Sequence, residues 1–324
     1  MPSTGRRLNQ IERAIGGWRV DRRDFLKASA ASLFGLMLGS RRLTAAAEPL
    51  RAGCRFGLLA DPHYADAEPR GTRYYRESLG KMREAVDRLR AARVEFLGEL
   101  GDIKDMALNE PDTRTLSHLV AIEYEFQRFG GPTYHVLGNH DMDNLSKAQV
   151  LARITNTGIP AGRSHYAFSH GGVRFITIDT NFTKDGRDYD HGNFDWREIY
   201  LPAPQLDWLR AELKAATEPI IILGHQRLDG DGHVQVVNRA EVRAALEGAG
   251  KVLAVFQGHD HKGAYSLING IHYYTLKAII EDSGPDNNAY AVVDVRPDLS
   301  LTVTGFRRAV SMELVHGTAS VAGT

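Results

Sequence analysis

Thr133-Tyr134-His135-Val136-Leu137-Gly138-Asn139-His140-Asp141 is the stretch whose reading decides the fold. Its first five residues are β-branched, aromatic or apolar. They follow Gly131-Pro132 and stop at Gly138, the signature of a short buried strand. Asn139 and His140 then fall on a loop at the strand's C-terminal end, the edge where open α/β sheets place their ligands. An asparagine side chain offers a neutral oxygen to a cation, and a histidine carries a proton near neutral pH. Taken alone the motif is also an ordinary turn, since Gly, Asn and Asp all favour turns.

Working outward, the same ending recurs. Arg55 to Ala60 reads as a buried strand and runs into Asp61-Pro62-His63; Pro62 cannot donate to a ladder, so the strand stops there. In extended backbone Asp61 and His63, two apart, point the same way. Val94 to Leu100 delivers Gly101-Asp102-Ile103-Lys104-Asp105. Pro219 to Leu223 ends in Gly224-His225, and Val252 to Phe256 leads to Gly258-His259-Asp260-His261. Between these strands, Leu79, Met82, Val86 and Leu89 predict a helix over 72–92. Leu116, Leu119, Ile122, Phe126 and Phe129 predict another, capped by Asp112. Further helices are expected at 204–216 and at 239–247, the latter capped by Asn238. Hairpins are expected around Gly171-Gly172 and Asn269-Gly270, with strands at 289–295 and 300–306 finishing the fold. Tyr74 and Tyr75 read as core. The polar segments 181–201 and 226–238 are long enough to be functional, and they read as the rim of a pocket, with His191 and Asn193 as candidate substrate contacts.

Five strands thus end in a potential ligand, and in four of them a glycine directly precedes the ligand or its Asn/His pair. The set Asp61, His63, Asp102, Asn139, His225, His259 and His261 offers only oxygen and nitrogen, which suits Mn, Fe or Zn. Seven ligands exceed what one ion takes from protein; two ions sharing a carboxylate fit the number. Cys54 is the single cysteine, so no intrachain disulfide and no cysteine-based metal cluster can form. No Gly-x-Ser-x-Gly elbow is present, which argues against a serine hydrolase. His118, His135, His165, His170, His272 and His316 read as core, hairpin or surface residues, His135 as a hydrogen-bonded core histidine.

In this order, Asp-x-His, Gly-Asp, Gly-Asn-His-Asp, Gly-His and Gly-His-x-His resemble the calcineurin-like metallophosphoesterases over about residues 55–276. The resemblance implies an α/β fold, a four-layer αββα sandwich of mixed sheets flanked by helices. It also implies a dinuclear site. Asp61, His63, Asp102 and His261 would hold metal one, Asp102 would bridge, and Asn139, His225 and His259 would complete metal two. His140 would be the non-ligand histidine facing the leaving group. Asp141 either orients His140 or caps the segment that follows. The implied reaction is hydrolysis of phosphoester or phosphoanhydride bonds by a hydroxide shared between two ions, on small phosphorylated substrates. The Asp-Pro-His-Tyr opening and the Gly-Asp-Ile-Lys-Asp block look like the branch containing manganese-dependent ADP-ribose/CDP-alcohol diphosphatases and exported bacterial phosphatase-like proteins. Lys104 departs from the uncharged residue usual there. The competing readings are a phosphomonoesterase acting on small phosphate esters and a non-catalytic metal-binding scaffold. The second requires lost ligands, and here every block is present.

At the N-terminus, Arg22-Arg23-Asp24-Phe25-Leu26-Lys27 precedes an apolar run, Ala28 to Gly39, too short to span a bilayer. Thr44-Ala45-Ala46-Ala47 behind it suits a signal peptidase. The segment resembles a twin-arginine export signal, with an anchoring helix as the alternative. The expectation is a signal over 1–47, one metallophosphoesterase domain over 48–324, a twin-arginine translocase as transient partner and a periplasmic or other extracytoplasmic location. Residues 1–47 hold nine basic and three acidic residues, so the remainder carries 31 basic and 37 acidic residues, a net of −6. That acidic balance argues against nucleic-acid binding, and an anionic substrate would need a local positive centre.

Overall fold

A computed structural model describes residues 53–108 and 110–315 and the backbone of 318–321. The expected signal segment, its cleavage point and His316 lie outside the described residues.

Short apolar strands flanked by turns assemble two sheets. In the first, β1 (Cys54–Leu59), β2 (Phe96–Glu99) and β3 (Thr133–His135) run parallel, with Phe56 opposite Phe96 and Leu97 opposite Thr133. β10 (Ala289–Val295) pairs antiparallel with the other side of β1, followed by β11 (Leu301–Arg307), β12 (Met312–Val315) and β13 (Thr318–Val321). In the second, β5 (Val173–Thr177), β6 (Ile220–Leu223), β7 (Val252–Gln257) and β9 (Ile271–Thr275) run parallel. The hairpin partners β4 (Tyr166–His170) and β8 (Ala264–Ile268) lie antiparallel at its two edges. Parallel strands need covered faces. On the first sheet α1 (Ser78–Ala91) and α2 (Asp112–Gln127) supply the cover through Met82, Val86, Leu89, Leu119, Ile122 and Phe126. A short α3 (Lys147–Leu151) joins their cluster through Val150. On the second sheet α4 (Ala203–Ala215) and α5 (Arg239–Ala249) bury Leu206, Leu209, Leu213, Val242 and Leu246. The result is the four-layer αββα sandwich that the motif order implied.

The inward faces of the two sheets meet in an aromatic seam. Phe56 stacks on Phe96 at 5.0 Å between ring centroids, and Phe175 meets both edge-on at 5.2 and 5.0 Å. Such offset and edge contacts add to the area the rings remove from water. They hold the sheets in one relation, and with them the C-terminal ends of β1, β2, β3, β6 and β7.

Local differences from the sequence reading have physical causes. The helix expected from Thr72 begins at Ser78, after a 3₁₀ turn over Tyr75–Glu77. The reason is that 72–74 are engaged elsewhere: Tyr74 N–H donates to Ile280 O at 3.1 Å and Asp282 N–H to Thr72 O at 2.6 Å. Asp112 is the first residue of its helix rather than the cap, which is Pro111. Asn238 precedes α5 without capping it, because its amide is spent on the Leu201 backbone, accepting at 3.1 Å and donating at 2.9 Å. Two further strands, β12 and β13, follow the pair expected to finish the fold; each is only four residues long, too short for a period-2 pattern to declare itself.

Candidate metal centre

The five strand endings converge, but not in extended backbone. Asp61 (φ 53°), His63 (φ 47°), Asp102 (φ 57°) and His259 (φ 66°) all adopt the left-handed region. Non-glycine residues there are uncommon, and such strain persists where surrounding structure imposes it, often at functional sites. The expectation that Asp61 and His63 align through an extended chain is therefore wrong in its geometry, although both do reach the same cluster. The flanking glycines explain how the loops close in. A Cβ on Gly138 would fall on the Asp102 carboxylate, and one on Gly258 would lie 2.7 Å from Asp61 Oδ2. No larger residue leaves room for the carboxylates.

Two clusters result, linked by a third made of His63, Asp102 and His140. Asp61, His63 and His261 form one: His63 Nε2 is 3.8 Å from Asp61 Oδ1 and 3.2 Å from His261 Nε2, and His261 Nε2 is 3.6 Å from Asp61 Oδ1. Asp102, His225 and His259 form the other. Asp102 Oδ2 lies between them, 3.4 Å from His63 Nε2 and 3.1 Å from His225 Nε2. The histidines are aimed by their far nitrogens. His63 Nδ1 bonds Asp105 Oδ2 at 3.2 Å, His261 Nδ1 bonds Glu281 Oε1 at 2.5 Å, and His225 Nδ1 bonds the Leu100 carbonyl at 2.7 Å. Fixing Nδ1 in this way presents Nε2 inward, the usual support for a metal-ligating histidine.

The donors fit cations. Asn139 Oδ1, His140 Nδ1, His225 Nε2 and His259 Nε2 are among the buried side-chain atoms of the described residues that have no hydrogen-bond partner; Asp102 stands 3.1 Å from His225 Nε2, but not in hydrogen-bonding geometry. Buried polar atoms are rarely left so, and a bound ion is one standard explanation. Three buried carboxylates, Asp61, Asp102 and Asp105, also demand positive charge. Burial alone favours a neutral Asp102, yet the His225, His63 and His140 rings hold its carboxyl well below the usual range. Conversely, burial lowers His225, and the Asp102 and Asp61 carboxylates raise it further, to about 10. Burial and the neighbouring His225 charge push His259 down to about 3, a neutral ring with a free lone pair. Protons on the imidazoles occupy the electrostatic place of cations. The candidate ligands for two divalent ions are Asp61, His63, Asp102 and His261 for one, and Asp102, His225 and His259, with Asn139 as the sequence suggested, for the other.

His140 lies at the edge of this set, grouped with His63 and Asp102 on one side and with Asp105 and Asp143 on the other, its side chain 29% exposed. Its backbone N–H donates to Asp102 Oδ1 at 2.7 Å, its ring meets the His63 ring at 4.6 Å, and its Nδ1 lies 3.3 Å from Asp105 Oδ2 and 3.8 Å from Asp143 Oδ2. Burial opposes charge on the ring, but Asp105 and Asp102 outweigh it and hold the imidazole protonated, well above its ordinary range. Asp141, whose role was left open between two readings, directs its carboxylate to backbone donors rather than to the His140 ring. Its carboxylate accepts from the backbone N–H of Gly138 at 2.7 Å, Ile103 at 3.0 Å and Asp102 at 3.3 Å, tying the β2 and β3 loops together. The residues facing His140 Nδ1 are Asp105 and Asp143, and the sequence reading assigned neither a role. Asp105 lies three residues after Asp102 on one loop, a signal that was available. Lys104, the odd residue of its block, is fully buried and paired with Asp143, whose other oxygen accepts from Met106 N–H at 3.1 Å. Of the rim residues, Asn193 is spent within its own loop, accepting from Asp190 N–H at 2.9 Å and donating to Asp188 O at 3.1 Å. His191 is exposed and bonds Asp190.

A two-sheet sandwich with such a doubly clustered edge is the architecture of dimetal phosphoesterases, and the chain belongs to the calcineurin-like phosphoesterase family, which matches residues 54–263. Its similarities to particular proteins agree. It is 29% identical over 293 residues to a manganese-dependent ADP-ribose/CDP-alcohol diphosphatase of Oryza sativa subsp. japonica, covering 76% of this chain and 90% of that protein. It is 26% identical to the Arabidopsis thaliana protein of the same name, covering 83% and 98%. The crystal structure of a dimetal phosphatase from Danio rerio superposes with a TM-score of 0.71 at 25% identity, covering 82% of this chain and 99% of that one.

Since cations must displace imidazole protons, metal binding is coupled to pH. Below the raised pKa of His225, about 10 in the metal-free site, the ring is protonated and competes with the ion. Affinity for Mn²⁺ is therefore expected to strengthen from pH 6 to pH 9, with net proton release on binding, as read by calorimetry in buffers of different ionisation enthalpy. His259, already neutral, contributes nothing to that release. A pH-independent affinity would contradict this electrostatic account.

Proposed function

We propose that this chain hydrolyses the phosphoanhydride bond of nucleotide-type diphosphates, of the ADP-ribose and CDP-alcohol kind, with two divalent cations, manganese first among them. The observation that carries the reading is Asp102 standing between His63 of one donor cluster and His225 of another, with His140, whose ring is favoured in its protonated form, against the same carboxylate. The names of the relatives in rice and Arabidopsis supply the substrate class and the metal. When bound, a divalent pair supplies positive charge to the phosphoryl oxygens and makes water a better nucleophile at neutral pH.

The chain's own residues provide the rest. Asp102 fixes the backbone of His140 through the 2.7 Å bond, so the ring has a constant position relative to the shared carboxylate. Asp105 faces Nδ1 at 3.3 Å and stabilises the imidazolium, leaving the proton on Nε2 to be given to the leaving oxygen as the phosphorus–oxygen bond breaks. Asp105 also holds His63 by its Nδ1, so one carboxylate couples the orientation of a candidate ligand to that of the acid. Arg73, 3.8 Å from Asp105, adds positive charge at the same place.

His140→Ala is expected to retain two metal ions per chain by elemental analysis and to lose about 10²- to 10⁴-fold in kcat on ADP-ribose. Wild-type turnover in that variant removes His140 from the chemistry. In the same assay, wild-type protein loaded with Mn²⁺ should prefer ADP-ribose or a CDP-alcohol to a simple phosphate monoester; the reverse preference makes it a phosphomonoesterase.

Residues 22–47 support an exported enzyme: paired arginines, a short apolar run and a small-residue cleavage site in the right order. Replacing Arg22 and Arg23 by Lys should leave a precursor in the cytoplasm that retains its N-terminal segment, as read by fractionation and mass spectrometry. Undisturbed export of the variant rules out the twin-arginine route.

A further inference from the structure

Beside the metal centre, segment 181–201 forms a wall that leaves one large aromatic in the open. Trp196 is 46% exposed, and its indole meets the ring of His259 at 6.3 Å between centroids and an angle of 62°. Among the described residues the other exposed large aromatic, Tyr124, lies on α2 on the outer face of the first sheet. An indole left in water forgoes a large hydrophobic gain, and aromatic side chains in that condition are enriched at binding surfaces.

The wall that carries it is built firmly. Tyr189 is fully buried and stacks on Phe194 at 3.9 Å. Lys147 donates to Asp179 at 2.7 Å, to Asp188 at 2.6 Å and to the Asn181 carbonyl at 3.2 Å. Gly192 N–H donates to Met142 O at 2.9 Å, and Val237 N–H to Ile199 O at 2.8 Å. Arg197, paired with Asp195, places its guanidinium 5.9 Å from the indole centroid. An aromatic side chain with two rotatable bonds, carried on a segment anchored in this way, loses little entropy when a ligand stacks on it.

We infer that Trp196 is the stacking platform for the base of a nucleotide whose phosphate lies at the His259 side of the centre. The inference rests on the diphosphatase reading for its ligand class. In a nucleoside 5′-phosphate one ribose separates phosphorus from base, so a phosphate held beside His259 brings the base onto the surface adjoining it, and that surface is the indole. Stacking tolerates any base, because each has a π-face. Trp196 thereby favours nucleotides over base-free phosphates without choosing between adenine and cytosine.

AMP and ribose 5-phosphate differ only in the base, and neither holds the diphosphate that the proposed reaction cleaves, so they test this directly. With the Mn²⁺-loaded full chain, wild type is expected to bind AMP more tightly than ribose 5-phosphate by calorimetry. Trp196→Ala should weaken AMP by about five- to a hundredfold while moving ribose 5-phosphate less than twofold. Trp196→Phe should restore most of the AMP affinity. If Trp196→Ala weakens both ligands equally, the indole only supports His259 and the inference is overturned. If wild type does not distinguish the two ligands, it is overturned as well. ADP-ribose turnover, measured on the same samples, reports separately on the diphosphatase reading: an AMP preference that depends on Trp196 in a chain unable to cleave ADP-ribose keeps the platform and discards the reaction.

Discussion

The carboxylate of Asp102 is fully enclosed, and an enclosed carboxylate must be compensated or it costs several kcal/mol. Its compensation organises the centre. One oxygen accepts from the His140 backbone; the other stands between His63 from β1 and His225 from β6, so the same group addresses both sheets. The approach is possible only because Gly138 has no Cβ to occupy the space, and because Asp102 itself takes a left-handed backbone that turns its side chain back toward the β3 loop. Asp141 holds that arrangement from behind through three backbone N–H groups.

From this constraint the chemistry follows. Asp102 falls in two of the donor groups, so a pair of cations bound there would share one anchor. His140, bonded to that anchor through its backbone, also reaches His63 and faces Asp105, which favours its protonated ring. The aromatic seam between the sheets matters here for its rigidity: ligands arrive from five strands in two sheets, and any sliding of one sheet on the other would separate His63 from His225. The rim segment, tied to the same framework by Lys147 and by Tyr189 on Phe194, sets a fixed aromatic surface beside the charged floor.

Much of this was readable from sequence, because each ligand follows a short apolar run with a turn residue beside it. That pattern placed the strands and the ligand-bearing ends that meet at one edge, and the family resemblance carried by those motifs implied the sandwich. What was not readable depends on contacts between distant residues. The left-handed conformations of Asp61, His63, Asp102 and His259 are imposed by neighbouring loops and leave no local mark. The charge of Lys104 looked out of place until the fold brought Asp143 against it, 39 positions along the chain. Asp141 was adjacent to His140 in sequence but turns the other way, toward backbone donors, while Asp105 does the facing. Trp196 sat in a polar segment with no periodicity to single it out, and only its place beside His259 gives it meaning.

Whether two cations share Asp102 can be read by anomalous diffraction at the manganese edge, from crystals of the full chain grown with Mn²⁺. Two peaks are expected, one among Asp61, His63 and His261 and one among Asn139, His225 and His259, both in coordination contact with Asp102. A single peak, or two peaks of which one is out of contact with Asp102, would contradict it.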